Sequence, residues 1–160
     1  MTTPDMLLIR KMISLEKNIG LLYSYFQDKY PEDRVFWKKI AAEEIKHATL
    51  IETHAEFILD SKEFFCSLLE VSEETLEKIN SKVTDVIENI DQHIKAREDT
   101  LLVALQLEQA AGELHYQNTV KQNDSENTPL PLTLFNKLAA YDKDHSERIL
   151  QYLAEIQEEK

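Results

Sequence analysis

Apolar residues recur at every third or fourth position along most of the chain, which is the spacing of one face of an α-helix. One such pattern covers about 5–30 and is followed by a break at Pro31, and a second pattern ends at about 60. A third begins at about 99 and reaches about 121, and a fourth begins at about 131. The alternation of apolar and polar residues therefore predicts four long helices.

The segment between the second and third helices, about 61–98, has a helical pattern of its own. The Ser-Glu-Glu triplet at 72–74 has the composition of a helix start. Apolar residues follow it at helical spacing: Leu76, Ile79, Val83, Val86 and Ile90. We therefore expect a long, partly helical connection here.

The links between the predicted helices differ in length. The first is short, the segment 61–98 is long, and the third is a loop at 123–129 that is rich in Asn, Asp and Ser. Two helical hairpins, about 5–58 and about 99–157, are then joined by a crossover. The prediction is an all-α four-helix bundle that forms a single domain over residues 1–160.

Composition supports a helical chain and reduces the classes of partner that it can bind. The 160 residues include only 2 Gly and 4 Pro, so few residues interrupt a helix. The formal net charge of −12 argues against nucleic acid, because phosphate contacts need clustered Lys and Arg. The longest apolar run, 101–105, is too short to span a bilayer, and the first residues do not resemble a signal peptide. We expect no membrane partner and a cytoplasmic location.

Two segments, 36–47 and 134–145, carry the same chemical pattern. Each contains an aromatic residue, a Lys, an aliphatic residue, two alanines, a carboxylate and, three positions after the carboxylate, a His. Residues three apart share a helix face, so each carboxylate and its His can be aimed at a common point. The two pairs are Glu44 with His47 and Asp142 with His145.

The duplication extends to the other two long helices. Both contain the frame Leu-Glu-x-x-x-Gly-x-Leu, at 15–22 and at 107–114, and each frame supplies one Glu. A Glu from each of two helices with carboxylate-x-x-His from each of the other two is the ligand pattern of di-iron and di-manganese bundles. The predicted ligands are Glu16, Glu44, His47, Glu108, Asp142 and His145.

The charge of this set predicts two divalent cations. Four buried carboxylates are too costly without neutralising charge, and two divalent ions supply it. A mixture of oxygen and imidazole ligands suits iron or manganese. Two metals held about 4 Å apart can bind dioxygen or peroxide between them.

Four further residues are candidates for supporting the site. Gly20 and Gly112, the only glycines, each lie four residues after a predicted ligand, on the same helix face. A Gly inside a helix costs about 1 kcal/mol relative to Ala, which indicates either space for a small oxidant or close helix packing. Tyr23 and His115 lie at matching positions one turn further on. Each is either a hydrogen-bond partner of the ligands or a packed core residue, and His115 is also a candidate third histidine ligand.

The two hairpins resemble the rubrerythrin branch of the ferritin-like superfamily. The resemblance is carried by Leu15-Glu16 through Tyr23, Phe36-Trp37, Glu44-x-x-His47, Leu107-Glu108 and Asp142-x-x-His145. It implies a ferritin-like bundle with two iron ions, as a homodimer. It also implies an oxidoreductase of peroxidase or ferroxidase type, which reduces peroxide or oxidises ferrous iron with dioxygen or peroxide.

The resemblance also assigns roles, and the chain departs from the family at three points. By matching position, Glu44 and Asp142 would bridge the metals, Glu16 and Glu108 would be terminal ligands, and His47 and His145 would each cap one metal. The single cysteine rules out the paired Cys-x-x-Cys motifs of a rubredoxin domain in this sequence, so a peroxidase needs an external electron donor. A further family glutamate, three residues from Glu108, is absent because Leu105 and Ala111 occupy those positions. Asp142 is one methylene shorter than the Glu that the family carries there.

Two other functions stay open from the sequence. The first is an iron-binding or iron-storage protein without catalytic turnover. The second is a helical interaction module that has kept a vestigial site. The spacing of the ligands does not choose between iron, manganese and a mixture of the two.

Overall fold

Every regular element that the structure describes is a helix. The computed structural model describes the backbone of residues 3–60, 62–120 and 130–160, and the side chains of residues 3–60, 73–115 and 133–160. The helices are α1 (Pro4–Lys29), a 3₁₀ turn (Pro31–Asp33), α2 (Arg34–Thr53), α3 (Ala55–Asp60), α4 (Lys62–Glu88), α5 (Ile90–His93), α6 (Arg97–Val120) and α7 (Leu130–Glu158). The predicted all-α class is confirmed for these residues, whereas the predicted loop at 123–129 lies outside them. No described helix has the length and apolar character needed to cross a membrane.

The bounds of α1 follow from the residues at its two ends. The Thr3 hydroxyl accepts a hydrogen bond from the backbone N–H of Met6 (3.2 Å), and Pro4 occupies the first helical turn, where a missing N–H costs nothing. The helix ends before Tyr30, whose backbone is not helical because it precedes Pro31. The predicted range of about 5–30 is therefore confirmed to within one residue.

The long helices pack as two pairs, α1 with α2 and α6 with α7. In the first pair, the Trp37 ring is fully buried and lies 5.2 Å from the Tyr23 ring and 5.1 Å from the Phe26 ring, between centroids. A three-residue turn separates α1 from α2, so the two helices are neighbours both in sequence and in space. The predicted pairing of the first helix with the second and of the third with the fourth is observed.

The crossover helix α4 packs against α1 and α6. Its apolar stripe is buried as predicted, at Leu76, Ile79, Val83 and Val86. On the solvent side, Lys11 of α1 forms ion pairs with Glu73 and Glu77, both at 2.7 Å. The helix begins at Lys62 rather than at the predicted Ser72. Residues 62–72 contain no Gly or Pro to interrupt a helix, so the Ser-Glu-Glu triplet lies inside it.

The predicted second helix is divided at His54 into α2 and α3, which the sequence pattern did not indicate. The ring Nδ1 of His54 lies 2.8 Å from the carbonyl oxygen of Leu50 and donates to it. The backbone N–H of His54 donates to two carbonyl oxygens, those of Leu50 (3.3 Å) and Ile51 (3.2 Å). This local side-chain hydrogen bond competes with the regular helical ladder and accounts for the turn.

A buried carboxylate joins the start of α2 to α6 and α7. Asp33 is 1% exposed and accepts hydrogen bonds from the Tyr152 hydroxyl (2.6 Å) and from Nε of Arg97 (3.1 Å), with a second contact to Arg97 Nη2. The Tyr152 ring also stacks on Phe36 at 4.2 Å. Burial and the Asp33 carboxylate raise the pKa of Tyr152 to about 12. This network connects the two helix pairs.

Replacing Asp33 by Asn is expected to lower the free energy of unfolding by about 2–3 kcal/mol. Removing one partner of a buried ion pair typically costs about 3–5 kcal/mol, and the partial exposure of Arg97 reduces that figure here. Urea unfolding followed by circular dichroism measures the change.

The matched control is Asp91→Asn. The Asp91 carboxylate also pairs with a single cation, Lys29, at 2.6 Å, but its side chain is 86% exposed. Removing an exposed pair is expected to change stability by less than about 1 kcal/mol. Equal losses in the two variants would contradict the role assigned to Asp33.

Candidate metal centre

All six predicted ligands lie in one buried cluster between the two helix pairs. Each is 4% exposed or less. They come from four helices, with Glu16 on α1, Glu44 and His47 on α2, Glu108 on α6, and Asp142 and His145 on α7. Residues far apart in the sequence are thus brought together at the place where α1, α2, α6 and α7 meet.

Glu44 lies at the centre of this cluster. Ligand atoms of Glu44, His47 and His145 all lie within 4.8 Å of one another, and so do ligand atoms of Glu44, Glu108 and Asp142. Glu44 is the one residue that belongs to both groups. A carboxylate in this position is placed to share its two oxygens between two cations.

The two oxygens of Glu44 face different histidines. Oε2 lies 3.3 Å from Nδ1 of His47, and Oε1 lies 2.7 Å from Nδ1 of His145. On the far side, His47 Nδ1 is 3.6 Å from Glu16 Oε2, and His145 Nδ1 is 3.4 Å from Glu108 Oε2. Each imidazole therefore faces Glu44 and one further glutamate, and the two arrangements match.

Several atoms of the cluster have no hydrogen-bond partner among the residues that the structure describes. The atoms are Glu44 Oε1, His47 Nδ1, Asp142 Oδ2 and His145 Nδ1, together with Nδ1 of the neighbouring His115. The short approach of Glu44 Oε1 to His145 Nδ1 does not have the angles of a hydrogen bond. Burying such an atom without a partner costs about 1–3 kcal/mol. Divalent cations among these atoms would satisfy them, so the residues present fit a metal centre.

The outer nitrogen of His145 has a partner that the sequence did not reveal. Nε2 lies 2.9 Å from Glu43 Oε2, and the same oxygen accepts a hydrogen bond from Arg148 at 2.6 Å. A proton held on Nε2 leaves the Nδ1 lone pair facing the cluster. Glu43 is not among the residues that the sequence pattern predicts for the site, and its side chain is 25% exposed. The available signal was Arg148, which lies three residues after His145 on the same helix face.

His47 has different surroundings. The Tyr141 ring stacks on it, with centroids 5.0 Å apart and planes at 9°. Tyr141 precedes Asp142 in sequence, and adjacent helical residues do not share a face. It instead meets the histidine of the opposite helix, α2. In the duplicated segments, Tyr141 occupies the position of Glu43, so one histidine contacts an aromatic ring where the other contacts a carboxylate.

Tyr23 and His115 bind cluster carboxylates across the helix pairs. The Tyr23 hydroxyl on α1 donates to Glu108 Oε1 of α6 at 2.7 Å, and His115 Nε2 on α6 donates to Glu16 Oε1 of α1 at 3.1 Å. Both side chains are buried. His115 Nε2 also lies 3.6 Å from Asp142 Oδ2. The two residues are therefore hydrogen-bond partners of the cluster.

The two glycines have different surroundings. A Cβ atom on Gly20 would lie 3.2 Å from Ile45 Cδ1 and 3.3 Å from both the Ala41 carbonyl oxygen and Glu44 Cβ. Gly20 therefore allows α1 and α2 to pack closely. A Cβ atom on Gly112 would meet only Asp142 Cβ, at 3.3 Å.

Three side chains of the cluster, Glu44, Asp142 and His47, have raised pKa values. Burial, together with repulsion from Glu108, raises the pKa of Glu44 to about 8. Burial and the charge of Glu16 raise the pKa of Asp142 well above its ordinary value. Burial alone would lower the pKa of His47, but the nearby carboxylates of Glu16 and Glu44 outweigh it and raise that pKa to about 9. A cation that binds here must displace these protons.

Comparison of the chain with protein families, with curated proteins and with solved structures found no match. The interpretation of the cluster therefore depends on its own geometry and chemistry.

Protein treated with a chelator is expected to become less stable as the pH rises from about 6 to about 9. The pKa values of Glu44 and His47 are raised, to about 8 and about 9, so the folded chain holds protons that the unfolded chain has released. Each such proton changes the free energy of unfolding by about 1.4 kcal/mol per pH unit. Urea midpoints at the two pH values measure the change.

Glu44→Gln provides the control, because an amide does not titrate and this variant should show a flatter pH dependence. Saturating divalent cation should reverse the trend, since cations compete with protons for the same atoms. If the chelated wild-type protein instead gains stability over this pH range, the assignment of retained protons to Glu44 and His47 is contradicted.

Proposed function

We propose that the chain is a ferritin-like four-helix protein of rubrerythrin type that holds two iron ions and acts on peroxide or dioxygen. The observation that carries this proposal is the position of Glu44, whose two oxygens face two different histidines inside a buried carboxylate cluster. The two helix pairs and the connecting α4 are consistent with two hairpins joined by a crossover. The resemblance of the sequence to rubrerythrins supplies the identity of the metal.

The ligand set divides into two halves around Glu44. His47 with Glu16 would hold one cation, and His145 with Glu108 would hold the other. Asp142 belongs to the all-carboxylate group with Glu44 and Glu108, and the family resemblance makes it the second bridging ligand. Four carboxylates balance the charge of two divalent ions. Oxygen and imidazole donors together suit iron or manganese.

When bound, the metal pair would supply electron exchange with peroxide or dioxygen. The side chains of the protein orient the ligands and determine which ligand atoms carry protons. Glu43 holds the Nε2 proton of His145, while Tyr23 and His115 hydrogen-bond to the two glutamates farthest from the centre. The burial of the cluster limits the access of bulk water. Peroxide reduction would draw electrons from an external donor.

Two alternative functions make different predictions. An iron-storage protein would accumulate oxidised iron beyond the bound pair and would not consume peroxide steadily. A helical interaction module with a vestigial site would fold and bind its partner regardless of metal. The unpartnered buried atoms of the cluster disfavour the second alternative, because an abandoned site gains nothing by keeping them.

Anaerobic titration with ferrous iron is expected to show about two ions bound per chain. The double variant Glu44→Ala with His47→Ala should lose most of this binding, because it removes the shared carboxylate and one imidazole. Glu147→Ala on the solvent face of α7 is the control and should bind like the wild type. Equilibrium dialysis with metal analysis provides the measurement. Fewer than about one ion per chain, or undiminished binding in the double variant, would contradict the proposal.

Peroxide added to the iron-loaded protein with a chemical reductant is expected to be consumed over many turnovers, with the iron content unchanged. The electrode-measured peroxide concentration and the protein-bound iron are followed together. Glu44→Ala with His47→Ala should show only the background rate. If peroxide consumption stops after one equivalent while bound iron rises well beyond about two per chain, storage replaces turnover as the function.

A further inference from the structure

A cavity of about 540 Å³ borders the cluster on the side of α6 and α7. Its walls include the cluster carboxylates Glu108 and Asp142, together with Gly112, Glu113 and Lys143. Gly112 contributes no side chain to the wall, and a Cβ there would touch only Asp142. The missing side chain leaves the cavity in contact with the carboxylates.

At the corresponding place in the first helix pair, an aliphatic side chain covers the glycine. Ile45 follows Glu44 in sequence, and its Cδ1 atom packs over Gly20, 3.2 Å from where a Cβ would lie. Lys143 follows Asp142 at the equivalent place in the second segment, but its side chain is 77% exposed. An aliphatic side chain thus covers one glycine, whereas a solvated lysine leaves the other uncovered.

The lining of the cavity favours a cation. Glu108, Glu113 and Asp142 supply carboxylates, while the amino group of Lys143 is turned to solvent, 4.0 Å from Glu147. Asp142 is also 1% exposed with Oδ2 unpartnered, so a buried acceptor is present at the inner end. A water molecule occupies about 30 Å³ of liquid volume, so a cation with six waters fits easily in the space.

A second cavity, of about 400 Å³, lies outside the two histidines. Its walls include Lys46 and Arg148 together with Glu43 and Asp144, and Arg148 is paired with both of these carboxylates. The charges at this opening therefore balance, so it attracts a cation less than the cavity lined by three carboxylates and one lysine, and the Tyr141 ring stacks on one of its two imidazoles.

We propose that the cavity at Gly112 is the binding and access route by which a hydrated divalent cation reaches the cluster. The inference depends on the proposed metal-binding function and adds the route by which the cation reaches its ligands. Lys143 then limits the rate through its charge alone, whereas an apolar side chain at 143 that packs over Gly112, or one at 112 itself, blocks the path.

Stopped-flow mixing with Co²⁺ tests this route through the fluorescence of Trp37. Trp37 is the only tryptophan, and its ring lies 5.2 Å from Tyr23, which binds Glu108. Lys143→Gln removes one positive charge and is expected to speed uptake by about twofold or more. Lys143→Ile removes the same charge but is expected to slow uptake, because it covers Gly112 as Ile45 covers Gly20. Gly112→Leu, which places a side chain in the cavity, is expected to slow uptake about tenfold or more.

Lys46→Ile is the matched control, since it makes the same substitution at the second cavity and should not slow uptake. The final stoichiometry of bound Co²⁺ should stay unchanged in every variant. Equal acceleration by Lys143→Ile and Lys143→Gln would show that charge alone matters and would overturn the route. If Lys46→Ile slows uptake and the variants at 112 and 143 do not, the second cavity is the route of uptake and the proposal is overturned. If wild-type protein binds no Co²⁺ at all, the proposed metal-binding function itself is contradicted. This result differs from the ones above, in which Co²⁺ binds but the variants change its rate of uptake in an unexpected way.

Discussion

The structure depends on how four carboxylates are kept together inside a helical bundle. Glu16, Glu44, Glu108 and Asp142 are all nearly inaccessible to solvent, and mutual repulsion at this distance would drive the helices apart if every group were ionised. The two imidazoles of His47 and His145 between them provide partial compensation through shared protons. Two divalent cations would provide it fully. The packing of four helices around one point is thus tied to the charge held at that point.

Contacts outside the cluster hold the helices that carry it in place. The buried Asp33 carboxylate, bound by Arg97 and Tyr152, connects the two helix pairs through a complete set of partners, in contrast to the unsatisfied cluster. The crossover helix α4 covers α1 and α6 with an apolar stripe. Side chains such as Glu43 then fix the orientation of an individual imidazole. The Asp33 network has its hydrogen-bond partners, whereas the carboxylate cluster keeps atoms that can coordinate a cation.

Much of this was accessible from the sequence because helical spacing converts directly into shared faces. The carboxylate-x-x-His pairs, the two single glutamates and the apolar stripe of α4 were all predicted in this way. The contacts of Glu43 and Tyr141 were not, since they reach histidines on a different helix and depend on how two helices face each other. The break at His54 depends on a single side-chain hydrogen bond. The beginning of α4 was misplaced because a Ser-Glu-Glu triplet has the same composition inside a helix as at its start.

The unequal partners of the two histidines make the two helix pairs depend on each other. Glu43 comes from the first hairpin, whereas Arg148, which fixes it, comes from the second, and the residue of the first hairpin at the place of Arg148 is Leu50. A protein assembled from two copies of the first hairpin would therefore present Glu43 without its arginine. Two copies of the second would present Arg148 without its glutamate. Each helix pair thus contributes one residue of the Glu43–Arg148 contact, so the orientation of His145 requires both pairs in one chain.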